Sequence, residues 1–122
     1  MRRGSPRPAS RAFALARTGY GTMLLAAPGA AARWYTGLPA EQATVAVALV
    51  LGTRQLAQAA ATSARPGRAG LGVGVAVDVM HAASMVGLAA LSRRWRRGGL
   101  VDAAVASSFA AAGLRLARRP RA

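Results

Sequence analysis

Four long apolar segments, separated by short polar or turn-forming stretches, dominate the hydropathy pattern of the chain. They span about residues 12–27, 43–62, 69–91 and 100–117. Each approaches the roughly 20 residues that a helix needs to cross the hydrocarbon core of a bilayer. Alanine is abundant and favours helix, and no segment alternates between apolar and polar residues as a membrane β-strand does. The pattern therefore predicts an all-α fold, a four-helix transmembrane bundle.

The stretches around these segments are rich in Arg, Pro and Gly, which are typical of turns and tails. We expect a disordered basic N-terminal tail at residues 1–11 and a basic C-terminal tail at 118–122. Pro28 and Gly29 end the first segment and begin a turn-rich stretch. Residues 12–117 then form one transmembrane domain.

A soluble four-helix bundle with an Ala-rich core is the main alternative. A soluble helix needs a polar face at 3.6-residue spacing, and residues 43–53 and 82–91 contain almost no polar side chain. The basic start and apolar middle of the first segment also resemble a signal peptide. Arg17 interrupts that apolar stretch, which favours a retained first helix.

The charge of the chain is very unbalanced and changes the picture in one respect. There are 17 basic residues, all of them Arg, and three acidic ones, a formal net charge of +14. Fifteen of the Arg frame the apolar segments; with the N-terminus inside, ten of these lie on the inner side and five on the outer side. The positive-inside rule then predicts a multi-pass protein of the cytoplasmic membrane with both termini in the cytoplasm. The Arg cluster at 93–97 opposes this rule locally.

Anionic lipid is the expected partner of Arg that lie beside membrane helices. The Arg-Arg-Trp-Arg-Arg run at 93–97 is short and has no recognised DNA- or RNA-binding motif beside it, so no nucleic acid partner is expected. Small residues recur at four-residue spacing, which permits close helix packing, a homo-oligomer or a membrane-protein partner. They are Gly70/Gly74, Ala103/Ser107/Ala111 and Ala104/Ser108/Ala112.

Composition excludes several kinds of chemistry. The chain has no Cys, one His and three acidic residues, so thiol nucleophiles and zinc–thiolate sites are excluded and carboxylate metal cages nearly so. No nucleophile–base pair is visible, and we predict no catalytic residue, metal site or cofactor. His81 is the one candidate for a haem axial ligand, which is a weak signal.

Ionisable residues inside a membrane are costly and usually face the bundle or water. Hairpins that turn near residues 35 and 66–67 place Arg17, Arg54 and Asp78 at a similar depth. Gln58 shares a helix face with Arg54, and His81 shares one with Asp78. The predicted polar layer consists of Arg17, Arg54, Gln58, Asp78 and His81.

An ion pair between Arg54 and Asp78 is the sharpest hypothesis, because a lone Arg at mid-bilayer costs about 2.5–3.5 kcal/mol on insertion scales. Two interpretations of the layer stay open. It either holds the helices in register, as in a structural or accessory protein, or it lines a pocket for a small molecule, lipid or quinone with Arg54, Asp78 and His81. With two Arg and one Asp, the layer is net positive, which suits an anionic head group.

The remaining acids, Glu41 and Asp102, precede or begin apolar segments. Acids near a helix N-terminus are favoured by the helix dipole, so we expect that role for both. Pairing with the Arg cluster at 93–97 is the alternative.

The chain resembles a family of small four-helix membrane proteins of unknown function that are frequent in high-GC bacteria. The resemblance rests on Pro28 with Gly37-Leu38-Pro39, on residues 51–56 (LGTRQL) and on residues 77–82 (VDVMHA), and it covers about residues 12–115. It implies the four-helix architecture and no activity, and it singles out Arg54 and Asp78.

Overall fold

The protein folds into helices throughout the part of the chain that the computed structural model describes, residues 8–65 and 67–120. The helices are α1 (Pro8–Ala26), α2 (Pro28–Thr36), α3 (Gln42–Ala64), α4 (Arg68–Leu91) and α5 (Arg96–Arg118). No strand occurs within these two described ranges. The predicted all-α class is confirmed, with five helices instead of four.

The four long helices correspond to the four apolar segments, but they extend further at several ends. α1 begins at Pro8, so residues 8–11 are helical and do not belong to a disordered tail. Proline suits the first position of a helix, where its missing N–H has no intrahelical partner to lose. The rest of the predicted N-terminal tail, residues 1–7, lies outside the described residues, as do residues 121–122 of the C-terminal one.

A short helix, α2, occupies most of the stretch that the sequence predicted to be a turn. Pro28 lies at its start, and Gly37 follows its last residue with a φ of 70°. The Gly37 N–H donates to the Arg33 carbonyl at 2.8 Å, which closes the helix in the left-handed conformation that glycine adopts without strain. Proline at the start and glycine after the end are a recognised pair of helix boundaries. Proline and glycine are typical of turns as well, which is why the sequence predicts a turn-rich stretch after Pro28 and Gly29.

The bundle consists of two helix pairs, α1 with α3 and α4 with α5, while α2 lies against α3 and α5. The first pair crosses at two glycines. A Cβ atom added to Gly52 would lie 2.9 Å from the Gly21 carbonyl oxygen, so the two backbones touch there. α5 approaches α4 equally closely, since a Cβ on Gly99 would lie 2.8 Å from the Met85 carbonyl oxygen.

The small residues of α5 that pack inside the bundle differ from the predicted sets. The buried small residues are Gly98, Gly99, Ala103, Ala106, Ala110 and Gly113. Ser107 and Ala111, which share a predicted set with Ala103, are exposed. A strict four-residue spacing drifts around the helix, because a turn takes 3.6 residues. A Cβ on Gly74 would meet no atom within 4 Å, whereas one on Gly70 would clash with the Arg65 carbonyl oxygen in the connection before α4. The Gly70/Gly74 motif is therefore not a helix–helix crossing within the described chain.

Gly52→Val is expected to destabilise the bundle, because the new side chain has no room at the α1–α3 crossing. Overpacking of this kind costs about 1–3 kcal/mol or more. Gly72→Val is the matched control, since a Cβ at Gly72 meets nothing within 4 Å. Thermal unfolding of the two detergent-purified variants, followed by circular dichroism, measures the difference. Equal melting temperatures would contradict the close crossing.

Polar and apolar side chains are distributed in the reverse of the usual order. Asp78 is 0% exposed and Arg17 and Asp102 are each 3% exposed, while most of the buried apolar residues are alanines. Many large apolar side chains point outward, for example Leu15 and Met80, both 71% exposed. Soluble proteins seldom bury charges or expose broad apolar surfaces.

Two of the described helices, α4 and α5, are long and apolar enough to cross a membrane. Most of the apolar stretch of each is not buried inside the bundle. The core helix of a soluble protein would be mostly buried, whereas these two stretches are mostly exposed.

Candidate functional site

An ion pair between α1 and α4 lies at the centre of the bundle. Arg17 Nη2 lies 2.5 Å from Asp78 Oδ2, and Arg17 Nη1 lies 3.2 Å from Oδ1. The guanidinium thus donates two parallel hydrogen bonds to one carboxylate, which is the strongest geometry for such a pair. Arg17 rather than Arg54 is therefore the main partner of Asp78.

Side-chain amides from α3 complete this polar layer. Arg17 Nη1 also donates to Gln55 Oε1 at 2.8 Å, and Gln58 Nε2 donates to Asp78 Oδ1 at 3.4 Å. The layer joins α1, α3 and α4. Gln55 was missed by the depth comparison, which considered ionisable residues first, although its position beside Arg54 and three residues before Gln58 in an apolar segment was a usable signal.

Arg54 joins the layer at its edge. Its Nη1 donates to Gln58 Oε1 at 2.9 Å and lies 3.5 Å from Asp78 Oδ1. Its Nε and Nη2 atoms are buried and have no hydrogen-bond partner among the described residues. The predicted contact with Asp78 is present but long, and among the described residues Gln58 supplies the one direct hydrogen bond of Arg54.

Aromatic rings enclose the Arg17 guanidinium. Its Cζ atom lies 5.2 Å from the ring centroid of Phe13 and 4.5 Å from that of Phe109. Both distances are short enough for cation–π attraction, which is strongest where water is excluded. Phe109 belongs to α5, so these contacts attach the fourth long helix to the layer.

His81 does not join this layer, contrary to the predicted set. Its Nε2 atom is hydrogen-bonded to Asp102 Oδ2 on α5, and the Tyr35 hydroxyl donates to Asp102 Oδ1 at 3.3 Å. Of the five predicted site residues, the structure thus brings together Arg17, Arg54, Gln58 and Asp78. His81 forms a second polar cluster with Tyr35 and Asp102.

Asp102 has neither of the roles expected from the sequence. α5 begins at Arg96, four residues before the predicted start, so Asp102 lies beyond the first turn, where the dipole effect has faded. It faces the interior and makes no ion pair with the Arg cluster at 93–97. The earlier start of the helix is the physical reason for both errors.

The second cluster changes the charge of the interior. The expected layer of two Arg and one Asp was net positive. Asp102 is also buried. With His81 neutral, the interior therefore holds two positive charges, on Arg17 and Arg54, and two negative charges, on Asp78 and Asp102, and the formal charges cancel. The chain has three acidic residues, and two of them are used in this way. A site for an anionic head group is therefore not indicated at this depth.

The third acid, Glu41, connects the loops at one end of the bundle. It lies at the N-cap of α3, as expected for an acid near a helix N-terminus, and Arg94 Nη2 lies 2.5 Å from its Oε2 atom. Arg96 Nε donates to the Ala89 carbonyl at 3.0 Å near the end of α4. Part of the Arg cluster at 93–97 therefore ties loops together, although an exposed pair such as Arg94–Glu41 is worth only about 0–1 kcal/mol.

A cavity of about 450 Å³ lies between α2, α3, α4 and α5. Its surface is almost entirely apolar. The polar residues in its lining are Tyr35, His81 and Asp102 of the second cluster, with Thr36 and Thr44, whose hydroxyls donate to the backbone carbonyls of Ala32 and Glu41. Neither Arg54 nor Asp78 lines it, so a pocket formed by Arg54, Asp78 and His81 is not what the structure contains.

No group of three or more metal-ligating side chains is close enough to hold a metal ion within the described ranges. Comparison of the chain with protein-family models, curated proteins and solved structures finds no match. The family resemblance stays a prediction.

Proposed function

We propose that this is an integral membrane protein in which α1, α3, α4 and α5 each cross the cytoplasmic membrane. The observation that supports it is the reversed distribution of side chains, with charged residues in the interior and large apolar residues outside. Lipid is the solvent in which that distribution is favourable, because apolar side chains lose nothing there and buried polar groups pair with one another.

α1 and α3 belong to the proposed membrane domain although composition alone does not select them. The mean hydropathy of these two helices is lowered by Arg17, Gln55 and Arg54, of which the first two are almost fully buried. Lipid does not meet a buried side chain, so its polarity does not oppose insertion of the folded bundle. The relevant surface of both helices is the outward one, where Leu15, Leu49 and Val50 are exposed.

α2 is too short to span, because nine residues of helix extend only about 14 Å. Its Trp34 is 56% exposed, and Trp is enriched where a membrane meets water. We place α2 at the outer interface. Four crossings then leave both termini on the same side, and the Arg distribution favours the cytoplasm for them.

The polar layer has a structural role in this proposal. The Arg17–Asp78 pair and the amides of Gln55 and Gln58 join α1, α3 and α4 by hydrogen bonds. These bonds specify the depth of each helix in the membrane and its rotation about its own axis. Partner lipids are expected to be anionic, because most Arg lie at the inner helix ends. A groove of about 500 Å³ between α1 and α5, with Arg115 and Arg119 in its lining, is suited to such a lipid.

The absence of Cys from the chain permits a direct topology experiment. We expect the expressed protein to stay in the membrane pellet after alkaline carbonate washing. A membrane-impermeant maleimide should label Arg93→Cys in intact spheroplasts but Ser63→Cys only after permeabilisation, because these residues lie in or beside opposite loops. Release by carbonate would overturn the membrane proposal, and the reverse labelling would overturn the orientation alone.

Binding of a lipophilic molecule is the second candidate function. The cavity favours it, because a space of about 450 Å³ with almost entirely apolar walls is not needed to hold helices together. Close packing is the rule in folded proteins, and an unfilled space of this size is typical of a ligand site.

A further inference from the structure

We propose that the cavity between α2, α3, α4 and α5 binds a neutral lipophilic ring that bears a carbonyl or hydroxyl oxygen, the chemistry of a quinone or its quinol, with this oxygen hydrogen-bonded to His81. This inference rests on the membrane location proposed above and deepens the second candidate function.

The size and walls of the cavity suit a ring with an apolar tail. Its volume of about 450 Å³ lies within the roughly 300–1,000 Å³ of small-molecule sites. The walls include Val47 and Leu51 of α3, Met85 and Leu88 of α4, and Trp95. Methionine and tryptophan both make favourable contacts with aromatic rings.

His81 provides the hydrogen-bonding group. Its Nε2 is committed to Asp102, and Asp102 is held in turn by the Tyr35 hydroxyl. The other ring nitrogen, Nδ1, has no partner within the described part of the chain. A neutral imidazole whose Nε2–H donates to the carboxylate leaves Nδ1 as an acceptor for a ligand hydroxyl; an imidazolium donates from Nδ1 to a ligand carbonyl. The pair therefore accommodates either form of the ring oxygen.

The charge around the cavity disfavours an anionic ligand. None of the Arg in the described part of the chain lines it, and Asp102 forms part of its polar end. A phosphate or carboxylate head group placed there would lie beside a buried carboxylate in a poorly screened region. A plain acyl chain would avoid that repulsion, but it would leave the polar end without a hydrogen-bond partner.

The cavity opens toward the proposed lipid side of the bundle. Val47 and Val50 line it and are also 42% and 68% exposed on the outer surface of α3. A lipophilic ligand concentrated in the bilayer would enter between α3 and α4, which make little contact with each other although they are neighbours in sequence.

Trp95 makes binding measurable, because it lines the cavity and quinones quench indole fluorescence on contact. The second of the two Trp, Trp34, is removed by Trp34→Phe. The full chain in nanodiscs of neutral phospholipid is titrated with decyl-substituted benzoquinone. We expect quenching that saturates. Decylbenzene, which has no oxygen, should compete for the cavity about tenfold more weakly than the benzoquinone binds.

Two matched variants test the location. Ala46 and Ala60 are both exposed on α3, but only Ala46 of the two lines the cavity. Ala46→Phe adds a ring at the cavity wall and should abolish saturable quenching, whereas Ala60→Phe should leave it unchanged. His81→Leu should weaken binding about tenfold, the effect of losing one buried hydrogen bond. If His81→Leu does not fold, the Ala46/Ala60 pair decides the question.

Linear, unsaturable quenching, or equal quenching in the Ala46→Phe and Ala60→Phe proteins, would overturn the proposal. Equal competition by decylbenzene would also overturn it, because the cavity would then accept an acyl chain without regard to oxygen. If the protein stays in the membrane but gives any of these results, the proposed ligand is refuted and the membrane location is not. A protein that carbonate releases from the membrane refutes the proposed function itself.

Discussion

Asp78→Asn is expected to prevent recovery of most of the folded protein. The substitution keeps the size and shape of the side chain but removes the carboxylate charge with which Arg17 is paired in the described structure. A buried charge left without its partner costs about 3–5 kcal/mol, and a whole domain has only about 5–15 kcal/mol of stability. Gel filtration of protein extracted in mild detergent measures the monodisperse fraction, and the melting temperature of that fraction measures its stability.

Glu41→Gln is the matched control for this result. It makes the same acid-to-amide change at the exposed pair with Arg94, where about 0–1 kcal/mol is at stake. We expect its yield and melting temperature to stay close to those of the unmodified protein. Equal recovery of the Asp78→Asn and Glu41→Gln proteins would show that the central ion pair contributes little.

The depth of the polar residues could be predicted from the sequence because depth depends on length alone. Antiparallel helices with a rise of 1.5 Å per residue place Arg17, Arg54 and Asp78 at one level once the turns are located. The structure does bring these three together. The depth of a residue follows from its distance along the helix to the nearest turn, and Pro and Gly mark the turns in the sequence.

The rotation of each helix about its own axis, and therefore the neighbour that each side chain faces, could not be predicted in the same way. Which Arg faces Asp78 depends on which helices touch, and α1 with α3 and α4 with α5 are not distinguishable from other pairings by hydropathy. His81 illustrates the consequence. It is three residues from Asp78, on a similar face of α4, but one turn along and slightly rotated, which brings it to α5.

Two local errors had wider effects. The predicted start of α5 at residue 100 placed Asp102 at a helix end. Because α5 begins at Arg96 instead, Asp102 lies in the second turn and faces the interior. The helix α2 was predicted as a turn, and it supplies Tyr35, the hydroxyl that holds Asp102. Both elements therefore determine the second polar cluster and one side of the cavity, and no part of that cavity could be predicted before they were located.

Arg17 and Arg54 are expected to differ sharply when each is replaced by Gln. Arg17 is buried and bidentate on Asp78, so Arg17→Gln leaves a buried carboxylate without its main partner and should cost about 3–5 kcal/mol. Arg54 is 21% exposed in its side chain and lies 3.5 Å from the same carboxylate, while two of its nitrogens have no partner among the described residues. Arg54→Gln therefore removes a charge that is only partly satisfied, and its effect should be much smaller.

Double-mutant cycles with Asp78→Asn separate the two contacts, because a cycle isolates the interaction between two residues from their separate effects. Unfolding in detergent gives the free energies where the variants fold, and the recovered fraction ranks them where they do not. In the Arg17→Gln/Asp78→Asn protein, both members of the pair become neutral amides, so part of the stability lost in either single variant should return. The Arg54→Gln/Asp78→Asn protein should be little better than Asp78→Asn alone, since Arg17 still lacks its carboxylate. If recovery instead occurs with Arg54 and not with Arg17, the central ion pair joins α3 to α4, and Asp78 does not hold α1 in the bundle.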